Sequence, residues 1–188
     1  YSYNKNKVTS IGDNINFEIL GNNGANRTAT GQSIGYFYGY RQIGIYQTAS
    51  DLERMPVLPT SRVGDIAFED VNNDGLIDSD DRVYLGTPFP PHNFGGALNV
   101  GYKGLDVLVE AQGVAGNKVY VQRRTATFAI LNYEVNRLNA WNGPGSTNVE
   151  PILDASRGNN YLFSSYFLER GDYLRVRMLQ IGYNIPQK

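Results

Sequence analysis

The residues best suited to chemistry in this sequence lie in one acidic turn, within residues 64–86. From Asp70 onward the order Asp-Val-Asn-Asn-Asp-Gly-Leu-Ile-Asp-Ser-Asp-Asp has the spacing of an EF-hand calcium loop. Calcium suits such a loop because it is a hard cation that accepts six to eight oxygens in irregular geometry. The ligands would be side-chain oxygens and one backbone carbonyl, supplied by Asp70, Asn72, Asp74, Leu76 (carbonyl), Asp78 and Asp81.

Two features of this loop weaken the calcium interpretation. The last ligand position holds Asp81 where EF-hands usually have the longer Glu, and the flanking residues are typical of strands rather than helices. Asp and Asn side chains also close turns without metal, by bonding to their own backbone. Two interpretations therefore stay open, a calcium loop and a purely structural turn, and no cofactor is required.

Enzyme chemistry finds little support in the composition. His92 is the single histidine and cysteine is absent, which excludes a multi-histidine metal site and a thiolate nucleophile. No glycine-rich phosphate loop or nucleophile elbow is present. The formal net charge is −1, with no basic run to bind nucleic acid. We therefore expect neither an enzyme nor a nucleic-acid-binding protein.

Trp141 is a candidate for substrate contact, together with the neighbouring Tyr133 and Asn142. An aromatic face can stack on the apolar side of a sugar ring. The alternative is that Trp141 packs a loop helix onto the wall of a β-barrel, and this is the interpretation we favour.

The clearest local pattern is a β-hairpin over residues 94–113. Apolar and polar residues alternate along 94–102 and again along 105–113, on either side of Lys103-Gly104, and Leu108 alone breaks the alternation. Each arm is close in length to a tilted strand that crosses a bilayer. No run of 18 apolar residues exists, so a transmembrane helix is not expected.

The last segment, residues 173–185, is apolar on one face up to Met178 and on the opposite face from Leu179. A β-bulge would cause this switch, and so would a strand that leaves the membrane. Elsewhere we expect extended chain over 36–48, a strand over 161–168 and a short helix over 128–141. Residues 21–35 and 143–160 have the composition of polar loops.

Three stretches together resemble the C-terminal half of SusC/RagA-type TonB-linked outer-membrane receptors. They are residues 64–88 (Gly-Asp-Ile-Ala-Phe-Glu-Asp onward), the hairpin end 110–117 (Glu-Ala-Gln-Gly-Val-Ala-Gly-Asn) and 167–186 (Phe-Leu-Glu-Arg-Gly-Asp-Tyr-Leu-Arg-Val-Arg onward). The resemblance covers most of residues 36–186 and depends on the order and spacing of the three stretches.

This resemblance implies an all-β fold, an antiparallel transmembrane β-barrel segment with long extracellular loops and a short loop helix. It would belong to a barrel of about 22 strands. Residues 1–188 would be a partial C-terminal portion of that barrel in the outer membrane of a Gram-negative, Bacteroidota-like cell. The implied function is import of oligosaccharides or peptides, with a SusD-like lipoprotein, the TonB complex (through parts absent here) and outer-membrane lipid as partners.

A soluble all-β glycan-binding module with a calcium-stiffened loop is the alternative function. Half-buried sheets in water show the same alternation as transmembrane strands, so the hairpin pattern alone does not separate the two. The surroundings of the apolar side chains distinguish the two functions. In a barrel they face lipid, and in a soluble module they pack on a core.

Overall fold

The computed structural model describes residues 1–12, 18–21, 24–121, 135–154 and 156–185. These residues form antiparallel sheets with little helix. The strands are β1 (Ser2–Tyr3), β2 (Glu18–Gly21), β3 (Asn26–Ala29), β4 (Tyr36–Gly39), β5 (Gln42–Ile45), β6 (Ile66–Phe68), β7 (Val83–Gly86), β8 (His92–Tyr102), β9 (Leu105–Ala115), β10 (Lys118–Tyr120), β11 (Leu168–Arg170) and β12 (Tyr173–Tyr183). Helix α1 spans Ala49–Arg54, and short 3-10 helices span Ser79–Asp81, Val135–Asn139, Gly158–Tyr161 and Ser165–Phe167.

One long sheet has the strand order β1-β8-β9-β12. Its three main strands, β8, β9 and β12, have 11 residues each. The hairpin between β8 and β9 turns at Lys103 and Gly104, whose φ angles are 47° and 86°. Two consecutive positive φ values define the type I′ turn that matches the twist of paired strands. The predicted hairpin is confirmed.

A β-bulge lies in β12 where the apolar pattern changes phase. Val176 pairs with Ala111 and Met178 pairs with Glu110, so Arg177 is an extra residue without its own partner on β9. One inserted residue inverts the orientation of every later side chain. The bulge therefore explains the switch that the sequence left open between two causes.

The connections at the two ends of the long sheet differ greatly in length. At one end is the two-residue turn of the β8–β9 hairpin. At the other end, residues 4–91 connect β1 to β8 and residues 116–172 connect β9 to β12. These two long connections carry the three smaller sheets β2-β3-β4-β7, β5-β6 and β10-β11. Tight turns at one end and long loops at the other are typical of outer-membrane barrels.

The two long connections fold together around one hydrophobic core, and we call this unit the loop body. Backbone bonds join them directly, since Tyr40 N donates to Phe163 O (3.1 Å) and Ser165 N donates to Tyr40 O (2.9 Å). Gly39 permits this approach, because a Cβ there would meet the Phe163 carbonyl oxygen at 2.4 Å. The buried core residues are Tyr40, Ile45, Ile66, Phe68, Ile77, Tyr166 and Phe167.

A buried polar cluster fixes the second connection to the first. Asp65 is 1% exposed and accepts hydrogen bonds from Arg157 Nη1 (3.1 Å) and Asn160 Nδ2 (3.0 Å) through Oδ1. Its other oxygen accepts from the Arg62 backbone amide at 2.8 Å. Asn160 Oδ1 in turn accepts from Ile66 N at 2.9 Å. The carboxylate is thus paired and fully bonded, as a buried charge must be to be tolerated.

Several sequence expectations for the loops need correction. The strand expected over 161–168 is wrong, because Ser165–Phe167 forms a 3-10 helix and β11 begins only at Leu168. The polar loop expected over 21–35 contains β3 at Asn26–Ala29, which pairs with β2 and β4. β11 pairs with the distant β10, whereas β3 pairs with its sequence neighbours β2 and β4. Local composition revealed neither pairing.

The helix expected over 128–141 falls partly outside the described residues, which resume at position 135. From there the chain forms the 3-10 helix Val135–Asn139, whose Val135 and Leu138 side chains are exposed. No helix in the described part of the chain has the length and apolar character needed to cross a membrane.

We predict that Asp65→Ala destabilises the loop body by about 3–5 kcal/mol, because it leaves the Arg157 guanidinium with one fewer buried partner. Native-state hydrogen exchange at Ile66 and Tyr46 in the whole protein measures the change. Asp80→Ala is the matched control, since Asp80 is exposed in the same connection. Equal protection in the two variants would contradict the role assigned to Asp65.

Candidate functional site

The register of the long sheet places most of its apolar side chains on one side, which we call the apolar face. Leu98 lies opposite Val109, which lies opposite Leu179; Val107 likewise lies opposite Ile181. Directly paired residues project on the same side of a sheet. The apolar face consists of Phe94, Leu98, Val100, Tyr102, Leu105, Val107, Val109, Ala111, Leu174, Val176, Leu179, Ile181 and Tyr183.

The apolar face packs against no second layer among the described residues. Leu98 is 62% exposed and Ile181 is 68% exposed, although both lie within long strands. The hydrophobic core lies instead in the loop body. An exposed apolar surface of this extent on a soluble protein would mark a contact with a partner or a membrane.

The dimensions of the apolar face match a bilayer. Ten residue steps separate His92 from Tyr102 along β8. At about 3.4 Å per residue and a tilt of about 40°, they rise about 26 Å. The apolar band of an outer-membrane barrel is about 25 Å tall.

Aromatic residues mark both ends of the apolar face. Tyr102 and Tyr183 lie beside the tight turn, each paired with Leu105. At the loop end, His92 stacks with Tyr1 (ring centroids 6.1 Å apart) and contacts Tyr3 (5.1 Å). Tyr1 Oη and His92 Nδ1 are 2.8 Å apart. Two aromatic girdles at the membrane–water interfaces are typical of transmembrane barrels. In this chain His92 packs among the aromatic side chains at the loop end.

The opposite side of the sheet, which we call the polar face, carries small and polar side chains. Bulged Arg177 lies beside Glu110 and Gln112 in a shallow depression over Gly95 and Ala97. Leu108, Val114, Tyr173 and Met178 are the exceptions on this side, and Leu108 and Met178 flank Glu110. A polar interior behind an apolar exterior is the arrangement of a water-filled barrel.

The acidic loop is closed by hydrogen bonds from its own backbone to its carboxylates. Asp70 accepts from Asn73 N (2.7 Å) and Gly75 N (2.9 Å), and Asp74 accepts from Leu76 N (2.9 Å). Gly75 has φ of 86°, in the left-handed region that glycine favours. These bonds supply what a structural turn needs.

Asp81 anchors the end of the acidic loop. Its side chain is fully buried and accepts from Val71 N and Asp78 N, both at 2.8 Å. Asp78 caps the 3-10 helix by accepting from Asp80 N at 2.8 Å. Within the part of the chain that the structure describes, no three carboxylate or histidine side chains are grouped to hold a metal ion. The calcium site stays a prediction.

Trp141 is packed inward and bonded. Its Nε1 donates to Gln47 Oε1 at 3.1 Å, and its ring lies against Gly64, where an added Cβ would approach it to 2.7 Å. Asn142 is exposed beside it, with its backbone amide bonded to Ser146 Oγ (3.1 Å). Tyr133 lies outside the described residues. Trp141 therefore has a packing role, but its contacts with Gln47 and Gly64 lie within the loop body and not on the strands of the long sheet.

Sequence reasoning missed the polar side chains that hold the loops together. Gln47 accepts from both Trp141 and Gly145 N, and Glu150 accepts from Tyr166 Oη at 2.6 Å and from Asn136 Nδ2 at 2.9 Å. No local pattern marks such residues, because each partner lies far away in sequence or in an irregular loop.

The pKa values of Tyr46 and Asp154, both in the loop body, are shifted far from their ordinary values. Burial, with a smaller effect from the charge of Asp65, raises the pKa of Tyr46 to about 12. Its phenol therefore stays protonated and donates to the Pro56 carbonyl at 2.7 Å. Hydrogen bonds from Ser156 and Arg157 lower the pKa of Asp154 to about 2. Both groups act as fixed structural partners near neutral pH.

Three relatives from Formosa agariphila align with almost the whole chain. TonB-dependent receptor P26 is 29% identical over 98% of this chain, and TonB-dependent receptor P3 is 29% identical over 100% of it. TonB-dependent receptor P39 is 26% identical over 98%. The chain spans about a fifth of the length of these relatives, between 19% and 21%. It matches no family model.

Two solved structures share the fold. A chain in the structure of the RagAB peptide transporter superposes with a TM-score of 0.70 at 20% identity, covering 98% of this chain and 20% of that one. The RagAB peptide importer in its closed-closed state gives a TM-score of 0.65, also at 20% identity and with the same coverage.

The fold therefore defines a section of an antiparallel outer-membrane-type β-barrel, which is not closed within these residues. The relationship predicted from the sequence motifs is confirmed: the chain is a homologue of TonB-dependent receptors over almost its full length. The relatives are receptors, and the solved structures are of a transporter, in agreement with the expectation that the chain is not an enzyme.

We predict that deletion of Arg177 leaves folding of the whole protein within about twofold of wild type. The deletion removes the bulge and restores strict alternation, which keeps Leu179 and Ile181 on the apolar face. Deletion of Leu108 is the matched control, because the β8–β9 pairing has no bulge to absorb it and Glu110 would turn to the apolar side. The amount of folded, heat-modifiable protein in outer membranes is the measurement. Equal loss in both variants would contradict the assigned register.

Proposed function

We propose that this chain forms part of the wall and outward loops of an outer-membrane TonB-dependent transporter. In this proposal β8, β9 and β12 cross the bilayer, and the loop body lies outside the cell. The rest of the barrel, its plug and the segment that contacts TonB belong to other parts of the whole protein. This division agrees with the relatives, of which the chain spans about 19%.

The observation that carries the proposal is the apolar face that nothing else in the described chain covers. It is continuous across three strands, and it ends in aromatic residues on both sides. The backbone groups of β9 are satisfied on both edges, by β8 and by β12. In lipid every backbone polar group must be paired, so β8 and β12 need further strands to complete a barrel.

The soluble glycan-binding module is the weaker proposal. It requires a second layer over the apolar face, as in any water-soluble sheet. The described residues supply a core for the loop body but none for this sheet.

The proposed cargo is an oligosaccharide or a peptide, and the proposed partner at the outer mouth is a SusD-like lipoprotein. The structural neighbour RagAB is a peptide transporter, which supports the peptide class. The loop body offers the surface for such contacts, since Val135, Leu138 and Val149 are apolar and exposed on it.

We expect Leu98→Arg to destabilise the whole protein by about 2–4 kcal/mol, because it places a charge near the bilayer midplane. Asn99→Arg is the matched control, with the same new side chain one position away on the polar face. Heat-modifiable mobility and outer-membrane yield measure the effect. The proposal predicts strong loss for Leu98→Arg and near-wild-type yield for Asn99→Arg. Equal tolerance of both changes would contradict it, as would a whole protein that stays monodisperse without detergent.

We propose, second, that the acidic loop binds calcium, and the ligand spacing from Asp70 to Asp81 supports this. Calcium at a hundredfold excess over Kd would stabilise the folded loop by about 2.7 kcal/mol.

A chelator should then lower the melting temperature of the detergent-solubilised whole protein, and calcium should restore it. Asp70→Asn should abolish the difference, while the control Asp80→Asn should retain it. The same melting temperature with and without chelator would show that hydrogen bonds alone close the turn.

A further inference from the structure

A cavity of about 320 Å³ lies where the long sheet meets the loop body. Its walls come from residues 3–7, 31–33, 84–91 and position 116. The segment after β1 contributes Lys5 and Lys7, β7 contributes Tyr84, and the segment before β8 contributes Phe89 and Pro90. The volume is at the lower end of the range for small-ligand sites.

The backbone around this cavity is held by hydrogen bonds. Asn4 N donates to Pro91 O and Val8 N donates to Gln32 O, both at 2.8 Å. Between them, Asn6 Oδ1 accepts from Ile34 N, also at 2.8 Å. The segment that carries the two lysines is therefore fixed at both ends and in its middle. A wall held in this way loses less conformational entropy when a ligand binds.

The cavity combines positive charge with aromatic and proline surface. Lys5 and Lys7 are exposed, and neither forms an ion pair among the residues that the structure describes. Ammonium groups bind phosphate well as compact point charges. Tyr84, Phe89 and Pro90 supply an apolar wall beside them. The chemistry that fits is a phosphate group attached to a bulky, partly apolar body.

The position of the cavity indicates where such a group would come from. Tyr3 lines the cavity and pairs with His92, the residue at the loop end of the apolar face. Because paired residues project on the same side of a sheet, Tyr3 lies on the side of His92, and their rings are 5.1 Å apart. This wall of the cavity therefore lies on the side that we assign to lipid. The end of the apolar band is the level of the lipid headgroups. Long loops mark this end as the cell exterior.

We propose that this cavity binds the phosphorylated headgroup of a lipid in the outer leaflet, with Lys5 and Lys7 as the phosphate ligands. The proposal rests on the proposed function, because the headgroup level exists only if the apolar face is embedded in a bilayer. A bound headgroup would hold the segment after β1 against β7 and fix the loop body relative to the membrane surface.

The test uses the whole protein in detergent micelles, taken from preparations that show the folded, heat-modifiable band. Binding is titrated with diphosphoryl lipid A in mixed micelles, with dephosphorylated lipid A and with inorganic phosphate alone. Lys5→Gln/Lys7→Gln should weaken binding of the diphosphoryl lipid about 30-fold, since each cation near an anionic lipid surface contributes about fivefold. Arg54→Gln/Lys103→Gln is the control for charge, because these exposed cations lie outside the cavity.

The proposal expects the diphosphoryl lipid to bind most tightly, the dephosphorylated lipid less tightly and inorganic phosphate least. Of the two double variants, only Lys5→Gln/Lys7→Gln should bind the diphosphoryl lipid more weakly than wild type. Equal binding of the two lipids, or equal loss in the control variant, would overturn it. Inorganic phosphate that binds as tightly as the lipid would overturn the lipid source and identify a site for soluble anions. If Lys5→Gln/Lys7→Gln is correctly folded and binds the diphosphoryl lipid as tightly as wild type, the cavity is not the binding site. That result leaves the proposed function untouched. A protein that needs no detergent rejects the proposed function instead.

Discussion

None of the described residues covers the apolar face of the long sheet, and the rest of the structure depends on this constraint. Leu98, Val107 and Ile181 form a continuous surface on paired strands, yet the hydrophobic core lies in the loop body. In water such a surface would drive association. In hydrocarbon such a surface is stable provided that every backbone polar group is paired. The antiparallel ladder pairs these groups within the sheet, and a completed barrel would pair those at its edges.

The other features of the fold are consistent with this constraint. The bulge at Arg177 keeps one side of β12 apolar along its whole length while adding a cation to the polar side. The tight turn at Lys103 ends the hairpin close to the apolar face, whereas the long connections at the other end fold around a core of their own. Asp65 and Gln47 in the first connection accept hydrogen bonds from Arg157 and Trp141 in the second. Two connections far apart in sequence thereby become one body.

The sequence predicted best those features that follow from local alternation. The hairpin, its turn and the phase change in β12 could all be predicted because side chains alternate with period 2 along a strand. The strand expected over 161–168 was wrong because pairing between β10 and β11, and the bonds around Tyr40, decide the backbone there. The cavity at Lys5 and Lys7 had no local signal, since its walls come from stretches as far apart in sequence as residues 3–7 and 84–91. Metal binding by the acidic loop has the same sequence signature as a structural turn.

Site-directed spin labelling of the whole protein in lipid vesicles tests the orientation of the sheet most directly. Single cysteines introduced in turn at positions 97, 98, 99, 180 and 181 of a cysteine-free form would each carry a nitroxide. We predict that oxygen speeds the relaxation of nitroxides at 98 and 181, whereas a water-soluble nickel complex does not. Nitroxides at 97, 99 and 180 should respond to the nickel complex more than to oxygen. Equal accessibility at all five positions, or shielding of 98 and 181 from both reagents, would contradict a lipid-facing sheet.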